Sequence, residues 1–594
     1  MLALVCGSAC SVTLPLALAD GTPETAKKPV AVIDGKEVDP PAIPMGDPAV
    51  VAAILKEGKD NSKVMEHLIY LSQQIGPRLT GSTNAKKSND WAEAQYRSWG
   101  LSNPHIEQYG EIGVGFDRGP STGKILMPEA PQRRRPGAGT GAAGAGAAGT
   151  AGTAGNAAGA GAAPPPADEE TKAPELKSVR DMQFTTLAWT RGTDGPTRGP
   201  VYWLPKTDSE YLEIKDKLKG AWVLMEPPPP MGGRGIGDRV KNAFRARAEA
   251  RDKVKVGTDP MTLPISQRVQ FDGINGYIST SRDERVWTTA VTGWRELTID
   301  TIPPETSIVV RLSDYDFINS RLADGEEFTA EFDLPHTFTP GPVPIYNTIA
   351  EIRGTEKPDE VVIISAHMDT WDGPGSLGTT DNGTGTSVVL EAARILATVG
   401  AKPTRTIRFI NYTGEEQGLL GSAGYVKDHA DEMPKISACF VDDGGTNYQG
   451  GLTVPAQMVD YLAAATAATN NQFWDTTDKK FLNVDIKTSK RTWIAAGGSS
   501  DHASYNAKGV PGFFWEEVGR ADYGYGWHTQ NDKLDLAIPM YLAQSATNMA
   551  ITAYNLACAP ELLPRSIKPE EEAKPVEKEK QSDPSKSSAS AAGK

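Results

Sequence analysis

From Ile345 onward, short apolar runs that read as strands alternate with an amphipathic run that reads as a helix. No other feature narrows the architectures open to this chain as much. Residues 361–365, 406–412 and 436–441 are short, apolar and rich in β-branched or aromatic side chains, the pattern of buried strands. After the first of them, Val388, Ala392, Ile395, Leu396 and Val399 fall on one face, which predicts a helix over 386–399. Strand–helix alternation of this kind predicts an α/β fold: a mostly parallel mixed sheet with helices on both faces. In such sheets ligands gather where the strands end at their carboxyl side.

The rest of the chain divides by composition. Residues 1–19 are apolar or small, and Ala17-Leu18-Ala19 before Asp20 has the small-x-small pattern of an export signal, so a secreted or periplasmic protein is expected. No Lys or Arg precedes this run, a departure from the usual signal. It is short and interrupted by Pro15, hence a poor anchor, and no other segment approaches a spanning length. Residues 20–45, rich in Pro, Lys and Glu, read as an unstructured leader. In 46–115, Val50, Ile54 and Leu55 share one helical face and Val64, Leu68, Ile69 and Leu71 mark a second amphipathic run. Residues 116–340 form a β-rich module, with strands near 201–203, 221–224 and 307–310 and one helix near 239–253. Within it, 133–166 is nearly all Gly and Ala, too poor in apolar surface to offset its ordering entropy, and is expected to be disordered. The α/β part spans 341–562, and 563–594, made mostly of Lys, Glu, Pro, Ser and Ala, is expected to be disordered.

The balance of 61 Lys+Arg against 75 Asp+Glu, spread along the chain, gives −14 and recommends no nucleic-acid partner. Four cysteines make no disulfide framework in 594 residues; two lie in the first ten, leaving Cys439 and Cys558 as the pair of the mature protein.

Three of the strands run into polar clusters. The first ends in His367-Met368-Asp369, followed by a Gly-rich loop to Asp381-Asn382-Gly383-Thr384-Gly385. The second leads to Gly414-Glu415-Glu416, the third to Asp442-Asp443-Gly444-Gly445, and His528-Thr529-Gln530-Asn531-Asp532 lies far downstream. A lone His or a Glu pair is usually structural or solvated; the case rests on their shared position at strand ends. Imidazoles and carboxylates without cysteine suit catalytic rather than structural zinc. Two neutral His and three carboxylates offset three of the four charges of two divalent ions, which a hydroxide would complete. Two metals about 3.5–4 Å apart clamp a water and polarise a carbonyl. Asp369, two residues past His367, is expected to orient its imidazole if the strand persists. Adjacent Glu415 and Glu416 point apart, which fits one ligand and one general base.

These motifs, with Gly76-Pro77-Arg78-Leu79-Thr80-Gly81 upstream, resemble the co-catalytic di-zinc aminopeptidase family, and the His-x-Asp-x-Trp-Asp form of 367–372 is most similar to its plasma glutamate carboxypeptidase-like branch. The resemblance covers about 341–560 and implies the zinc-exopeptidase fold, with the β-rich module resembling an inserted protease-associated domain. It implies that His367 and Asp443 bind one zinc, Glu416 and His528 the other, that Asp381 bridges them, and that Glu415 takes a proton from the bridging water and passes it to the leaving amine. Asp443 is preferred to Asp442 because Asp-Gly-Gly-Thr echoes the branch, and Asp501-His502 matches a support near the pocket rather than a ligand. Cobalt or manganese are expected to substitute for zinc. Some relatives place an oxyanion-stabilising Tyr four residues before the Asp-His pair; that position is Gly497, leaving Tyr505, Tyr523 or Tyr525 as substitutes.

The leading expectation is an aminopeptidase acting on peptide substrates. A carboxypeptidase or dipeptidase of the same family is the alternative, for which Arg491 or Arg520 would receive a substrate carboxylate. A non-catalytic binding protein on the same fold is a third reading, against which the full set of ligand and base positions argues.

Overall fold

The strand that ends in His367 is apolar at every position from Val361 to Ile364, which only a sheet covered on both faces can accommodate. The computed structural model, which describes residues 29–128, 175–227, 235–291 and 293–565, places it in the middle of a six-stranded sheet. The order is Gly512–Phe514, Ile436–Val441, Lys357–His367, Arg405–Tyr412, His336–Ile352, Ser102–Arg118. The first four run parallel, and His336–Ile352 pairs antiparallel with Arg405–Tyr412. The export-signal region 1–19, the Gly/Ala tract 133–166 and the tail beyond 565 lie outside the described residues.

Alternation sends Val362, Ile364 and Ala366 to one face, where they pack with Val388, Val389 and Leu396 of the Thr384–Thr398 helix and with Met549 and Ala553 of the Pro539–Cys558 helix. Val361 and Ile363 face the other way, against Tyr425 and Val426 of the Leu420–Asp428 helix and Tyr505. The sheet is thus mixed, mostly parallel, with helices on both faces. Register then aligns the strand ends: His367 pairs with Tyr412, and Ser365 with Val441, so three polar loops leave one edge at the same height.

Residues 29–118, 287–302 and 337–565 form one unit and 119–286 with 303–336 the other. The second unit holds an eight-stranded sheet whose core includes Trp222, Phe332 and Tyr315. Residues 287–302, read from composition as part of the β-rich module, belong instead to the first unit. The leader expectation also needs correction. Ala31–Ile33 and Lys36–Val38 form a hairpin that extends a five-stranded sheet, the first pairing in parallel with Asp485–Thr488, and Ala31 is fully buried. A few apolar residues with a fixed partner outweigh a polar surrounding composition. Cys439 and Cys558 are both free thiols, so no disulfide joins them.

Candidate metal centre

Glu415, Glu416 and Asp443 follow strand ends, Asp381 sits in the turn that opens the Thr384–Thr398 helix, and His528 follows the short Tyr523–Gly526 helix. His367 closes its strand, and the Thr384–Thr398 helix is tied to that end by Thr386 Oγ1 donating to the His367 carbonyl at 2.8 Å. The helix begins on the Asp442 carbonyl, so closely that a Cβ on Gly385 would meet that oxygen at 2.1 Å, which is why this motif position is glycine. Asn382 joins the two, donating to the Asp442 carbonyl at 2.7 Å and accepting from Gly385 N at 2.9 Å.

These turns gather two trios. In the first, His367 Nε2 lies 2.9 Å from Asp443 Oδ1 and 3.4 Å from Asp381 Oδ1. In the second, His528 Nε2 lies 2.9 Å from Glu416 Oε2 and 3.2 Å from Asp381 Oδ2. Asp381 is shared, one carboxylate oxygen facing each imidazole. His367, Asp381 and Asp443 are buried; Glu416 and His528 are half-buried.

The electrostatics fit a cation. Burial alone pulls the imidazole of His367 down, but Asp443, Glu415 and the neighbouring carboxylates raise it well above its ordinary value. His528, desolvated yet beside Glu416 and Asp381, is pushed up to about 10. Asp381 is held low: its burial is outweighed by the two imidazoles. Burial, followed by neighbouring negative charge, raises Glu415 and Glu416. Protons on the imidazoles thus stand where divalent ions would satisfy the same carboxylates. Glu416 Oε1 is buried and accepts no hydrogen bond from the protein, which fits a ligand to a cation.

Asp369 is brought to His367 by the turn after the strand, its carbonyl nearer the imidazole than its carboxylate. The strand stops at His367, so Asp369 is not on its pleat, and His367 Nδ1 donates to the Asp369 backbone carbonyl at 3.0 Å rather than to its carboxylate at 3.6 Å. The carboxylate instead accepts Glu415 N and Glu416 N, each at 3.3 Å, and Thr80 Oγ1 at 3.0 Å. Asp443 faces His367, whereas Asp442 turns inward to Gln449 Nε2 at 2.6 Å and is pushed up to about 6 by burial. His502 packs its ring 5.6 Å from Phe514 and joins neither trio.

Of the tyrosines, the Tyr505 hydroxyl pairs with that of Tyr412 in the core and Tyr525 is 49% exposed. Tyr523 alone feels the ligand carboxylates: burial, then Asp381, Asp443 and Glu416, hold its phenol well above the usual range. Arg520 is engaged by Asp475 at 2.6 Å and Tyr541 at 2.9 Å. Arg491 is exposed.

Two supporting residues had no role in the sequence reading. Arg78 is fully buried and donates to the carbonyls of Met368 and Gly378 at 2.7 Å, Gly76 at 2.9 Å and Leu71 at 3.2 Å. Asp532 accepts Thr380 N at 2.6 Å and Asp381 N at 3.2 Å, fixing the backbone that carries the shared carboxylate. Both lie in the motifs around 76–81 and 528–532, where a buried charge is the only available signal.

The model of peptidase family M28 matches residues 347–553, which hold both trios and Glu415. Over 511 residues the chain is 28% identical to carboxypeptidase Q of Mus musculus, covering 86% of this chain and 88% of that one. It is 30% identical over 237 residues to the aminopeptidase YwaD of Bacillus subtilis, covering 38% and 49% respectively. Among solved structures, a peptidase M28 precursor from Shewanella amazonensis is similar with a TM-score of 0.53 and 23% identity, over 88% of this chain and 99% of that one, a likeness of fold. Strand order and the carboxyl-edge cluster accord with the match of residues 347–553 to peptidase family M28.

Proposed function

We propose that the chain is a secreted or periplasmic zinc exopeptidase that hydrolyses peptide bonds with two zinc ions, most simply an aminopeptidase releasing N-terminal residues. The observation that carries this reading is the Asp381 carboxylate, with Oδ1 at 3.4 Å from one imidazole and Oδ2 at 3.2 Å from the other. His367 and Asp443 would hold one ion, Glu416 and His528 the second, with Asp381 between them. Zinc bound there supplies a lowered water pKa and a polarised substrate carbonyl. Glu415, whose backbone is held by Asp369, takes the proton of the attacking water and returns it to the leaving amine. Tyr523, whose phenol is held high by burial and the ligand carboxylates, would donate to the developing oxyanion. The small-x-small pattern at residues 17–19 supports export, and no helix among the described residues is long and apolar enough to cross a membrane.

The likeness to carboxypeptidase Q, which extends over 86% of the chain, favours a carboxypeptidase or dipeptidase as the second reading. The engagement of Arg520 with Asp475 and Tyr541 removes one candidate carboxylate receptor and favours the first. Elemental analysis of active protein, together with release from N-terminal amides, blocked C-terminal peptides and dipeptides, tests both. Two zinc ions per chain with cleavage of the amides is expected; one metal or none overturns the two-ion reading, and cleavage of only the blocked peptides or dipeptides selects the alternative.

A further inference from the structure

His528 is a non-glycine residue in the left-handed region, at φ 58, a conformation that side chains seldom adopt without outside support. Its support comes from residues 287–302, which belong to the same unit although they precede it by more than two hundred positions. Thr288 N donates to the His528 carbonyl at 3.0 Å, and Trp287 forms an isolated antiparallel bridge with Thr529. The Trp287 ring meets Trp527 edge-on at 5.7 Å, and Trp527 stacks on the His528 imidazole at 4.0 Å with the planes 25° apart. Further along the same segment, Arg295 Nη2 donates to the Gln417 carbonyl at 2.7 Å, one residue past Glu416.

We infer that the 287–302 segment is a positioning strap for one metal ion only, the one that Glu416 and His528 would hold. This inference rests on the two-ion reading above and adds to it. The strap's bonds to the ligand loops reach the residues after Glu416 and at His528, while the first trio has its own supports: His367 is oriented by the Asp369 carbonyl at 3.0 Å and the turn after Asp443 by Glu517, which accepts Gly444 N at 3.0 Å. Holding a ligand's backbone and ring in place lowers the cost of ordering them when the ion binds, the usual effect of groups that support ligands from behind. The strap therefore sets the affinity of the second position without touching the metal, and Trp287, Thr288 and Arg295 are positioning residues.

The test is calorimetric titration of metal-free full-length protein with Zn2+ alone, repeated with Co2+, whose visible absorption reports filling of each position. In Arg295→Ala and Trp287→Ala one of the two ions is expected to lose about 10-fold or more in affinity, while the other stays within about 3-fold. Trp287→Phe should recover most of the loss, and Glu296→Ala, on an exposed strap side chain, should change neither. Equal weakening of both ions, or no change in either, overturns the strap. If the wild type takes up a single ion, the two-ion reading falls; the strap then stands if Arg295→Ala weakens that ion and Asp443→Asn does not, and falls otherwise. Because binding is read without turnover, a chain that hydrolyses nothing still decides the matter.

Discussion

The carboxylate of Asp369 accepts the backbone N–H of Glu416 at 3.3 Å, and its other oxygen does the same for Glu415. One buried side chain thus fixes the orientation of two adjacent glutamates that must point in different directions. Asp369→Asn keeps the shape but replaces one acceptor with a donor facing a donor. Turnover is expected to fall about 10–100-fold with metal content little changed. Steady-state kinetics alongside metal analysis checks this, and an unaltered kcat would mean that the two glutamates keep their orientation without the Asp369 carboxylate.

Glu415 and Glu416 are expected to fail in different ways. Glu415→Gln cannot accept the proton, so turnover should drop by about 100-fold or more at near wild-type metal occupancy. Glu416→Gln removes an anionic ligand and should lower occupancy of one position, with activity partly regained in excess zinc. The reverse pattern would exchange their roles.

Arg78 carries the largest expected effect on stability. Its four carbonyl partners come from three separate segments; removing the guanidinium takes the side-chain donor from all four, leaving Leu71 and Gly378 only the N–H groups of Gly76 and Gly383. Arg78→Ala is expected to cost at least about 3 kcal/mol. The readout is a lowered denaturation midpoint, accompanied by weaker metal binding because Met368 and Gly378 flank the ligands. A midpoint equal to wild type would mean that water replaces the guanidinium.

The pH dependence of stability is expected to depend on His429. Its Nε2 lies 2.9 Å from Glu107 and its Nδ1 3.0 Å from Glu432. Those two hydrogen bonds raise it from 6.5 to about 9, so its contribution is complete below 6.5 and is lost as pH rises through 9. Glu107, whose burial is outweighed by His105 and His429, and Glu432, bonded to His429 and Arg408, are lowered from 4.5 to about 2. Their contribution is present above 4.5 and lost as pH falls toward 2. All three are half-exposed and screened by solvent, so His429→Gln should flatten the melting profile between pH 7 and 9 by only about 1–3 °C. Identical profiles for both proteins would exclude the effect.

How much of this was legible in the sequence follows from how each residue acts. His367, Glu416 and Asp443 stand beside apolar runs, so a reader who finds the strands finds them; register then does the gathering. Asp381 was legible through its glycine-rich turn, where Gly385 leaves room for the Asp442 carbonyl. Asp369 meets His367 through a turn rather than a shared pleat, since spacing by two implies a shared face only while a strand lasts and this one ends at His367. Asp532 and Thr288 act on the backbone of distant residues, an interaction that no spacing rule encodes. The 287–302 segment was assigned by neighbourhood in sequence, whereas its partners Gln417 and His528 lie far downstream.

The hairpin at residues 31–38 has a consequence for the order in which the protein is completed. Gly35 N donates to Asp485 at 3.0 Å across a separation of 450 residues. On a ribosome adding about 5–20 residues per second, the earliest-made strand waits roughly 20–90 s for its template. Until then Ala31–Ile33 has no partner strand, and under crowded translation it can pair instead with the Asp485–Thr488 edge of a neighbouring chain made earlier. The hairpin thus acts as a late latch, and a chain clipped just after Val38 would complete its six-stranded sheet yet leave the Asp485–Thr488 edge open to strand exchange.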